Sequence, residues 1–393
     1  MRPTKSSKTP SFSGSAEAGR EAPLGIYAET YSPSGTARVS EDGEILDAPR
    51  DSRTARAERY ALKSAAVRLL DHGHRTSKCM RWRVPKQETQ VLKGATTDRA
   101  FFSGLQVCAM PWTCPVCAAK ISERRRVEVA KAMKQAEALG LKVALITPTV
   151  PHGLGDDVAA MADAMQKAWS SLWQGKAGMQ LRHRLGLFGH IRSLEVTHGS
   201  NGFHPHFHAL MFYHPEQTRF EDWGEMIPAA WQRAAVRAGL PAPSLDHGCQ
   251  VDDGTKAAQY VAKGVWGLES EVTKGHVKKG KRGSRTPFDL LRDYMRGDKQ
   301  AGAIWRAYAQ AFEGRRQLYW SNGLKKLLAI AELSDEEIAH KPDDEKALLL
   351  ATISDEQWKL IYRRHMESAV LDLAEVSVDA LRRFLEWLGP QEH

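Results

Sequence analysis

The chain has 393 residues, of which 42% are hydrophobic and 26% are charged. This balance is typical of a globular protein with one large domain or two ordinary ones. The formal net charge of +9 favours an anionic partner such as nucleic acid. Five cysteines and no apolar stretch near the N-terminus disfavour a secreted, disulfide-bonded protein. No apolar run approaches the roughly eighteen residues that a membrane-spanning helix needs, so we expect a cytoplasmic protein without a membrane partner.

The N-terminal part of the chain changes character near residue 58. Residues 1–57 are rich in small, polar and charged side chains with little periodicity, which predicts a disordered tail. Glu58–Asp71 has apolar residues at helical spacing, so we expect order to begin with a helix there. Residues 58–140 are then predicted to form a helical and cysteine-containing region.

Four of the five cysteines lie in this region, at Cys79, Cys108, Cys114 and Cys117. The last two form a C-x2-C knuckle, which can hold one ion from a tight turn, and zinc prefers four such ligands. The favoured hypothesis is therefore a structural Zn²⁺ site, in which Cys79 is the least secure ligand because it is distant in sequence. A redox dithiol would leave Cys79 and Cys108 unexplained, and buried unpaired cysteines are the third alternative. The isolated Cys249 is predicted to be a small core residue.

The middle of the chain alternates between strand and helix patterns. Leu141–Val150 is rich in β-branched residues, which predicts a buried strand. Residues 156–174 predict a helix whose stripe of large apolar side chains packs in the core. A β-hairpin is predicted over Ser193–Tyr213, where two apolar runs flank the turn sequence GSNG at 199–202.

Three histidines of this hairpin, His204, His206 and His208, alternate along one strand and should therefore share one face. If the turn is symmetric about residues 200 and 201, Glu195 lies directly opposite His206 and projects to the same side. That face then carries a carboxylate and two or three imidazoles, which form a divalent-metal site. A slip of one residue would turn the ligands to the other face.

The chain beyond the hairpin predicts a helix around Arg219–Ala238, a short strand at Gln250–Asp253 and a helix at Thr255–Val265. Tyr260 and Lys263 lie one turn apart on that last helix. Further along, Lys274–Arg285 is rich in glycine and contains no acidic residue. We interpret this segment as either a solvated loop or a clamp on the DNA backbone. Its cationic residues are Lys274, Lys278, Lys279, Lys281, Arg282 and Arg285.

The C-terminal part differs in charge, because Glu332–Glu356 has nine acidic residues against two lysines. Two capping boxes begin at Ser334 and Ser354, and Ser377 caps a last helix. Residues 329–393 are predicted to be an acidic helical module that packs or binds a partner rather than DNA. The chain has no phosphate-binding G-x-x-x-x-G-K-[ST] motif, so nothing in it indicates an ATP-driven motor.

Three segments in order carry a family resemblance: LITPTV at 145–150, HPHFHALM at 204–211 and YVAK at 260–263. The sequence resembles HUH endonucleases, specifically the rolling-circle replication initiator (Rep) proteins of small plasmids. The resemblance extends to the cysteine region and to residues 320–327 and 334–339, and covers roughly residues 60–340. It implies an α+β fold, with a ferredoxin-like nuclease domain over 141–328. A central antiparallel sheet would carry the histidines, and the helix of Tyr260 would pack against them.

The resemblance also implies a reaction, which is site- and strand-specific nicking and joining of DNA. His206 and His208 would hold Mg²⁺ or Mn²⁺, with Glu195 favoured as the third ligand and His204 as its competitor. Tyr260 would be the nucleophile, giving a covalent 5′-phosphotyrosine and a free 3′-OH, and Lys263 would stabilise the charge. The partners would be plasmid origin DNA, in single-stranded or hairpin form, and a host helicase.

The chain differs from some related initiators at one position. Those proteins carry a glutamate one helical turn before the tyrosine, and the glutamate activates water to end replication. Lys256 occupies that position here, so we expect another acid to act, first Asp253 and otherwise Glu269 or Glu271. The motifs alone also fit an HUH transposase or relaxase. A non-catalytic, metal-stabilised DNA-binding regulator is the alternative from another class.

Overall fold

The computed structural model describes residues 38–39, 45–47, 53–254, 256–258, 284–344 and 346–389. In these ranges the chain has an α+β architecture with three antiparallel sheets, which confirms the predicted fold class. The strands are β1 (Arg38–Val39), β2 (Ile45–Asp47), β3 (Thr89–Gly94), β4 (Ala100–Ser103), β5 (Lys142–Pro148), β6 (Leu187–Gly199), β7 (Gly202–Tyr213), β8 (Cys249–Asp252), β9 (Leu318–Trp320) and β10 (Ala347–Ile353).

The helices connect and cover these strands. They are α1 (Arg53–Leu69), α2 (Arg75–Lys78), α3 (Pro115–Ala138), α4 (Val158–Leu172), α5 (Gly175–Arg184), α6 (Phe220–Arg237), α7 (Pro287–Met295), α8 (Lys299–Phe312), α9 (Leu324–Leu327), α10 (Asp335–His340), α11 (Asp355–Arg363), α12 (Glu367–Val376) and α13 (Val378–Trp387).

The central sheet has five strands in the order β8-β5-β7-β6-β9. Strand β7 is in the middle and is paired on both sides, so the histidines lie on a central strand as predicted. Its two faces have separate cores because side chains alternate along a strand. Phe207, Ala209 and Met211 pack with helices α4 and α6. Leu210 and Phe212 pack on the other side with helix α3.

The β6–β7 turn sets the register of the hairpin. Gly199 pairs with Gly202, which leaves Ser200 and Asn201 as the two turn residues. Gly202 has a φ of +85°, a conformation that costs a residue with a Cβ free energy. A Cβ at Gly202 would also lie 3.0 Å from the carbonyl oxygen of Gly153. Glycine is therefore required here by both the backbone conformation and the close approach of the neighbouring loop.

Helix α1 begins at Arg53, five residues before the predicted start, and contacts two of the cores. Leu62 and Ala66 pack in the core that contains Phe207 and Met211 of the central sheet. Tyr60 packs in a second core with Val91 of strand β3 and Ile353 of strand β10. Helix α1 therefore joins the region of the central sheet to the C-terminal part of the chain.

Strand β10 lies in the segment that the sequence predicted to be helical. It pairs antiparallel with β3, which also pairs with β4. Trp358 of α11 and Leu381 of α13 pack against this small sheet. The C-terminal module thus contains a strand as well as helices, and it shares a sheet with residues 89–103. The division of the chain at residues 57, 140 and 328 stays a prediction.

Candidate metal centres and active site

The hairpin register brings the predicted carboxylate and two histidines together. Glu195 pairs directly with His206, and Ser193 pairs with His208, so all four side chains project from one face of the sheet. The Glu195 Oε2 atom lies 3.7 Å from Nε2 of His206 and 3.7 Å from Nε2 of His208. One ligand atom from each of Glu195, His206 and His208 can be chosen so that all lie within 4.8 Å of one another.

The two distances from Glu195 to the histidines are compatible with a single divalent cation. With metal–ligand distances near 2.1 Å, adjacent ligands of an octahedral ion lie about 3.0 Å apart and opposite ligands about 4.2 Å apart. The 3.7 Å distances from Glu195 to the two imidazoles fall between these limits. A mixed nitrogen and oxygen set suits Mg²⁺ or Mn²⁺ without selecting strictly between them.

Both imidazoles are oriented through their other ring nitrogen. His206 Nδ1 lies 3.2 Å from the His204 carbonyl oxygen. A carbonyl can only accept, so Nδ1 donates and the Nε2 lone pair is directed towards Glu195. His208 Nδ1 lies 3.0 Å from the Thr147 hydroxyl on strand β5. Hydrogen bonds of this kind fix the tautomer and ring orientation of histidines that bind metals.

Glu195 is oriented by Ser193, whose hydroxyl donates to Glu195 Oε1 over 3.0 Å. The other carboxylate oxygen, Oε2, is the one that faces the histidines. Burial alone would lower the pKa of His206, but its hydrogen bond and charge interaction with Glu195 raise the pKa above the ordinary value. Burial, with the adjacent His206, lowers the pKa of His208.

His204 is outside this group and has a different environment. Its ring stacks on that of His152, with centroids 4.6 Å apart and an interplanar angle of 10°. Burial and the neighbouring imidazoles lower the pKa of His204 to about 4, so the ring is neutral at physiological pH. Of the two candidates for the third ligand, the geometry therefore groups Glu195, and not His204, with His206 and His208.

Thr147 and His152 are not among the predicted site residues. Thr147 lies in the LITPTV segment, and its hydroxyl is the partner of His208. The alternation of β5 could have indicated it, since Thr147 shares a face with Leu145, and Leu145 pairs with Leu210 of the histidine strand. His152 lies beyond β5 in a loop, and no periodicity of the sequence indicates its contact with His204.

A helix begins at Gly254, directly after strand β8. The Asp253 carboxylate accepts from the Lys256 backbone N–H over 3.3 Å and so caps this start. Ala257 is fully buried in the same core as Leu210 and Phe212, on the face of the sheet that carries the histidines. Tyr260 and Lys263, the predicted nucleophile and its neighbour, lie outside the described residues, as do Glu269 and Glu271.

The acidic and basic residues around this helix start are paired. Lys256 forms an ion pair with Asp252. Asp253 has the capping role described above, and its predicted catalytic role stays a prediction. In the predicted DNA clamp, Arg285 is described: its guanidinium lies 3.4 Å from Asp293 and 3.6 Å from Asp298. The other five predicted residues lie outside the described ranges: Lys274, Lys278, Lys279, Lys281 and Arg282.

The four clustered cysteines form a second candidate metal centre. Cys79, Cys108, Cys114 and Cys117 are all buried, and none is in a disulfide. The Sγ atom of Cys117 lies 3.6 Å from those of Cys79 and Cys108, and the Cys79–Cys114 distance is 3.7 Å. Four thiolates at about 2.3 Å from a tetrahedral Zn²⁺ would lie about 3.8 Å apart. The cluster therefore fits a closed, four-coordinate Zn²⁺ site that includes Cys79.

The surroundings of the cysteines support this fit. Cys114 is the N-cap residue of α3 and Cys117 lies in its first turn, where the helix dipole favours thiolates. Thr76 donates to Cys108 Sγ over 3.8 Å. The buried Lys63 donates to the Cys79 carbonyl oxygen over 3.3 Å and lies 3.8 Å from Glu367 of α12. The predicted core residue Cys249 is separate from the cluster and buried in the main core.

Arg124, Arg125 and Arg126 form a basic cluster near the start of α3. Arg125 forms ion pairs with Glu128 and Asp335, and Arg126 pairs with Glu123. Arg125 therefore links α3 to α10, and Arg125 and Arg126 are both neutralised by protein carboxylates.

A family model described as a replication protein matches residues 100–366. The match covers more than half of the chain and includes Glu195, His206 and His208. The chain belongs to this replication-protein family.

A relative from Streptomyces lividans, described as "Protein rep", is 27% identical over 346 residues. The alignment covers 69% of this chain and 76% of the relative. No solved structure matches the chain significantly. In the described ranges, every helix is too short or too polar to span a membrane.

Proposed function

We propose that this replication protein initiates rolling-circle replication of a plasmid by nicking one DNA strand at the origin and rejoining it. Glu195, His206 and His208 hold Mg²⁺ or Mn²⁺, and Tyr260 is the nucleophile. The observation that carries the proposal is the Glu195–His206–His208 group on one face of the central sheet. The helix start at Gly254, which precedes Tyr260 in the sequence, packs against that same face through Ala257.

Hydrogen bonds from neighbouring residues orient the side chains of this group. Thr147 and the His204 carbonyl orient the two imidazoles, and Ser193 orients the carboxylate. Three protein ligands leave positions open for phosphate oxygens. A divalent cation bound there supplies Lewis-acid polarisation of the scissile phosphate and offsets the charge that develops on it.

Tyr260 performs the covalent step. Its phenolic oxygen forms a bond to phosphorus while the bond from phosphorus to the 3′ oxygen breaks. The phenol loses one proton and the departing 3′ oxygen gains one, which leaves a 5′-phosphotyrosine and a 3′-OH for a polymerase. The covalent ester conserves the energy of the phosphodiester, so the reverse reaction can rejoin the strand. Lys263 stabilises the negative charge, and a host helicase separates the strands.

The direct test is a nicking assay on a single-stranded oligonucleotide from the replication origin, with Mn²⁺ present. We expect a protein–DNA adduct whose modified peptide contains Tyr260, identified by mass spectrometry. Tyr260→Phe should abolish the adduct. Tyr294→Phe, which alters a half-buried tyrosine on helix α7, is the matched control and should retain it.

Two results would contradict the proposal. An adduct that persists in Tyr260→Phe would remove that residue as the nucleophile. Binding of origin DNA without cleavage in Mn²⁺ or Mg²⁺ would instead favour the non-catalytic regulator. A transposase or relaxase is distinguished by its substrate, because such an enzyme would cleave a transposon end or a transfer origin rather than the replication origin.

A further inference from the structure

A basic cleft lies between helices α5 and α6, away from both metal centres. Its volume is about 530 Å³. Three exposed arginines line it, with Arg184 from α5 and Arg233 and Arg237 from α6. Gln180 also lines the cleft, and His183 lines both this cleft and an adjoining one of about 300 Å³ that includes Arg182. The two clefts share His183, and together they are lined by four arginines.

The charge of this surface is not neutralised by the described part of the protein. None of the residues that line either cleft is an aspartate or a glutamate. Arg184, Arg233 and Arg237 form no ion pair with any described residue, unlike the arginines of helix α3. Arg233 and Arg237 are also four residues apart on one helix, where like charges repel and destabilise the helix. An anion bound between them would remove this repulsion.

The position of the cleft separates it from the proposed nicking site. Helices α4 and α6 cover the sheet face formed by Phe207, Ala209 and Met211. The metal-binding histidines alternate with these residues and project from the opposite face.

A cation at the C-terminus of a helix also complements its dipole. That role does not account for Arg233, one turn before the end of α6, or for the concave shape of the site.

From these observations we propose that the α5–α6 cleft binds the phosphodiester backbone of a DNA segment other than the strand at the metal site. Arginine suits this role because its planar guanidinium donates two parallel hydrogen bonds to a phosphate. Backbone contacts of this kind are independent of sequence and fix the position of the DNA on the protein. The cleft would hold duplex DNA on the side of the central sheet opposite the nicking site. The inference rests on the proposed function only in taking DNA as the ligand.

The test compares two full-length variants that lose the same charge. The cleft variant combines Arg184→Gln, Arg233→Gln and Arg237→Gln. The control variant removes three exposed cations from the C-terminal helices α11 and α13. Its substitutions are Lys359→Gln, Arg363→Gln and Arg383→Gln.

The probe is a short duplex of mixed sequence, with binding measured by fluorescence anisotropy over a range of salt concentrations. The cleft variant should bind about tenfold more weakly than wild type, and its salt slope should fall by about 2–3, because each lost phosphate contact contributes about 0.9. The control variant should stay close to wild type. Circular dichroism and thermal unfolding should match wild type in both variants, which shows that the fold is intact.

Equal losses in the two variants, or no loss in either, would overturn the inference. It would also be overturned if inorganic phosphate bound the wild-type cleft and duplex DNA did not, because the cleft would then be a site for small anions. Failure of the proposed nicking function is distinguishable, since duplex binding is measured without cleavage. A protein that does not nick but shows the expected difference between the variants would retain the cleft as a DNA site.

Discussion

Glu195 lies directly opposite His206 across the β6–β7 ladder, and its Oε2 atom is 3.7 Å from Nε2 of that histidine. This pairing places the carboxylate near the imidazoles of His206 and His208. The Nδ1 atom of each imidazole is already hydrogen-bonded. The proposed metal centre is therefore organised by main-chain pairing, and its ligands come from two neighbouring strands. Substitutions in the hairpin should affect metal binding according to the face on which each residue lies.

Removal of the charge of Glu195 should weaken metal binding strongly. Glu195→Gln keeps the size of the side chain but removes the anionic ligand, and we expect the Kd for Mn²⁺ to rise about 100-fold or more, since changes to the supporting residues alone cost 10–100-fold. His204→Gln should change the Kd far less, because His204 stacks on His152 outside the ligand group. Isothermal titration of both variants measures the difference, and equal losses would favour His204 as a ligand.

Metal binding should weaken as the pH falls. Glu195 raises the pKa of His206 in the metal-free protein, and the cation has to displace that proton. The ion pair of Glu195 and His206⁺ stabilises the metal-free fold below the unfolded pKa of histidine, and this contribution is lost as pH rises through the folded pKa. Mn²⁺ affinity should therefore rise, and the stability of the metal-free protein should fall, over that same pH range.

The control for this pH dependence is Glu195→Gln, in which the cause of the raised pKa is removed. NMR titration of the imidazole resonances should show His206 protonating at a lower pH in the variant than in the wild type. An unchanged His206 titration would contradict the assigned interaction. His204 should remain neutral in both proteins down to about pH 4.

The cysteine cluster should contain one zinc ion per chain, and its loss should destabilise the protein. Cys114→Ser removes one of four buried ligands, so we expect bound zinc to be lost and the Tm to fall, because metal binding at such sites contributes to folding free energy. Cys249→Ala also removes a buried thiol, but outside the cluster, and should retain the zinc. Elemental analysis and thermal unfolding measure both effects, and zinc-free wild-type protein with the same Tm would contradict the assignment.

The hairpin turn should tolerate only glycine at position 202. Gly202→Ala places a Cβ at a φ of +85° and 3.0 Å from the Gly153 carbonyl oxygen, and we expect it to lower the free energy of unfolding by about 1–3 kcal/mol. Gly155→Ala, in the neighbouring loop, has no atom within 4 Å of the added Cβ and no positive φ. Chemical denaturation should show a change of less than about 0.5 kcal/mol for this control. Equal changes would indicate that the turn is not strained by the substitution.

Short-range spacing was sufficient to predict the hairpin and the face that Glu195, His206 and His208 share. The alternation of His206 and His208, with a two-residue turn, determines which side chains share a face, because the period of a strand is two residues. The same reasoning predicted the core stripe of helix α4, where Met161, Met165 and Trp169 are all buried. In each case the relevant partners lie within one element or one hairpin.

Contacts between distant segments were decided by the tertiary structure. Cys79 joins the other three cysteines only because α2 packs near the start of α3. Strand β10 is a strand because it pairs with β3, although its sequence, ALLLATI, has no alternation of apolar and polar residues. Thr147 and His152 reach the histidines from another strand and a loop. Local sequence determines periodicity, whereas these contacts depend on which surfaces of the folded chain bury one another, and that free energy is gained only when the whole core assembles.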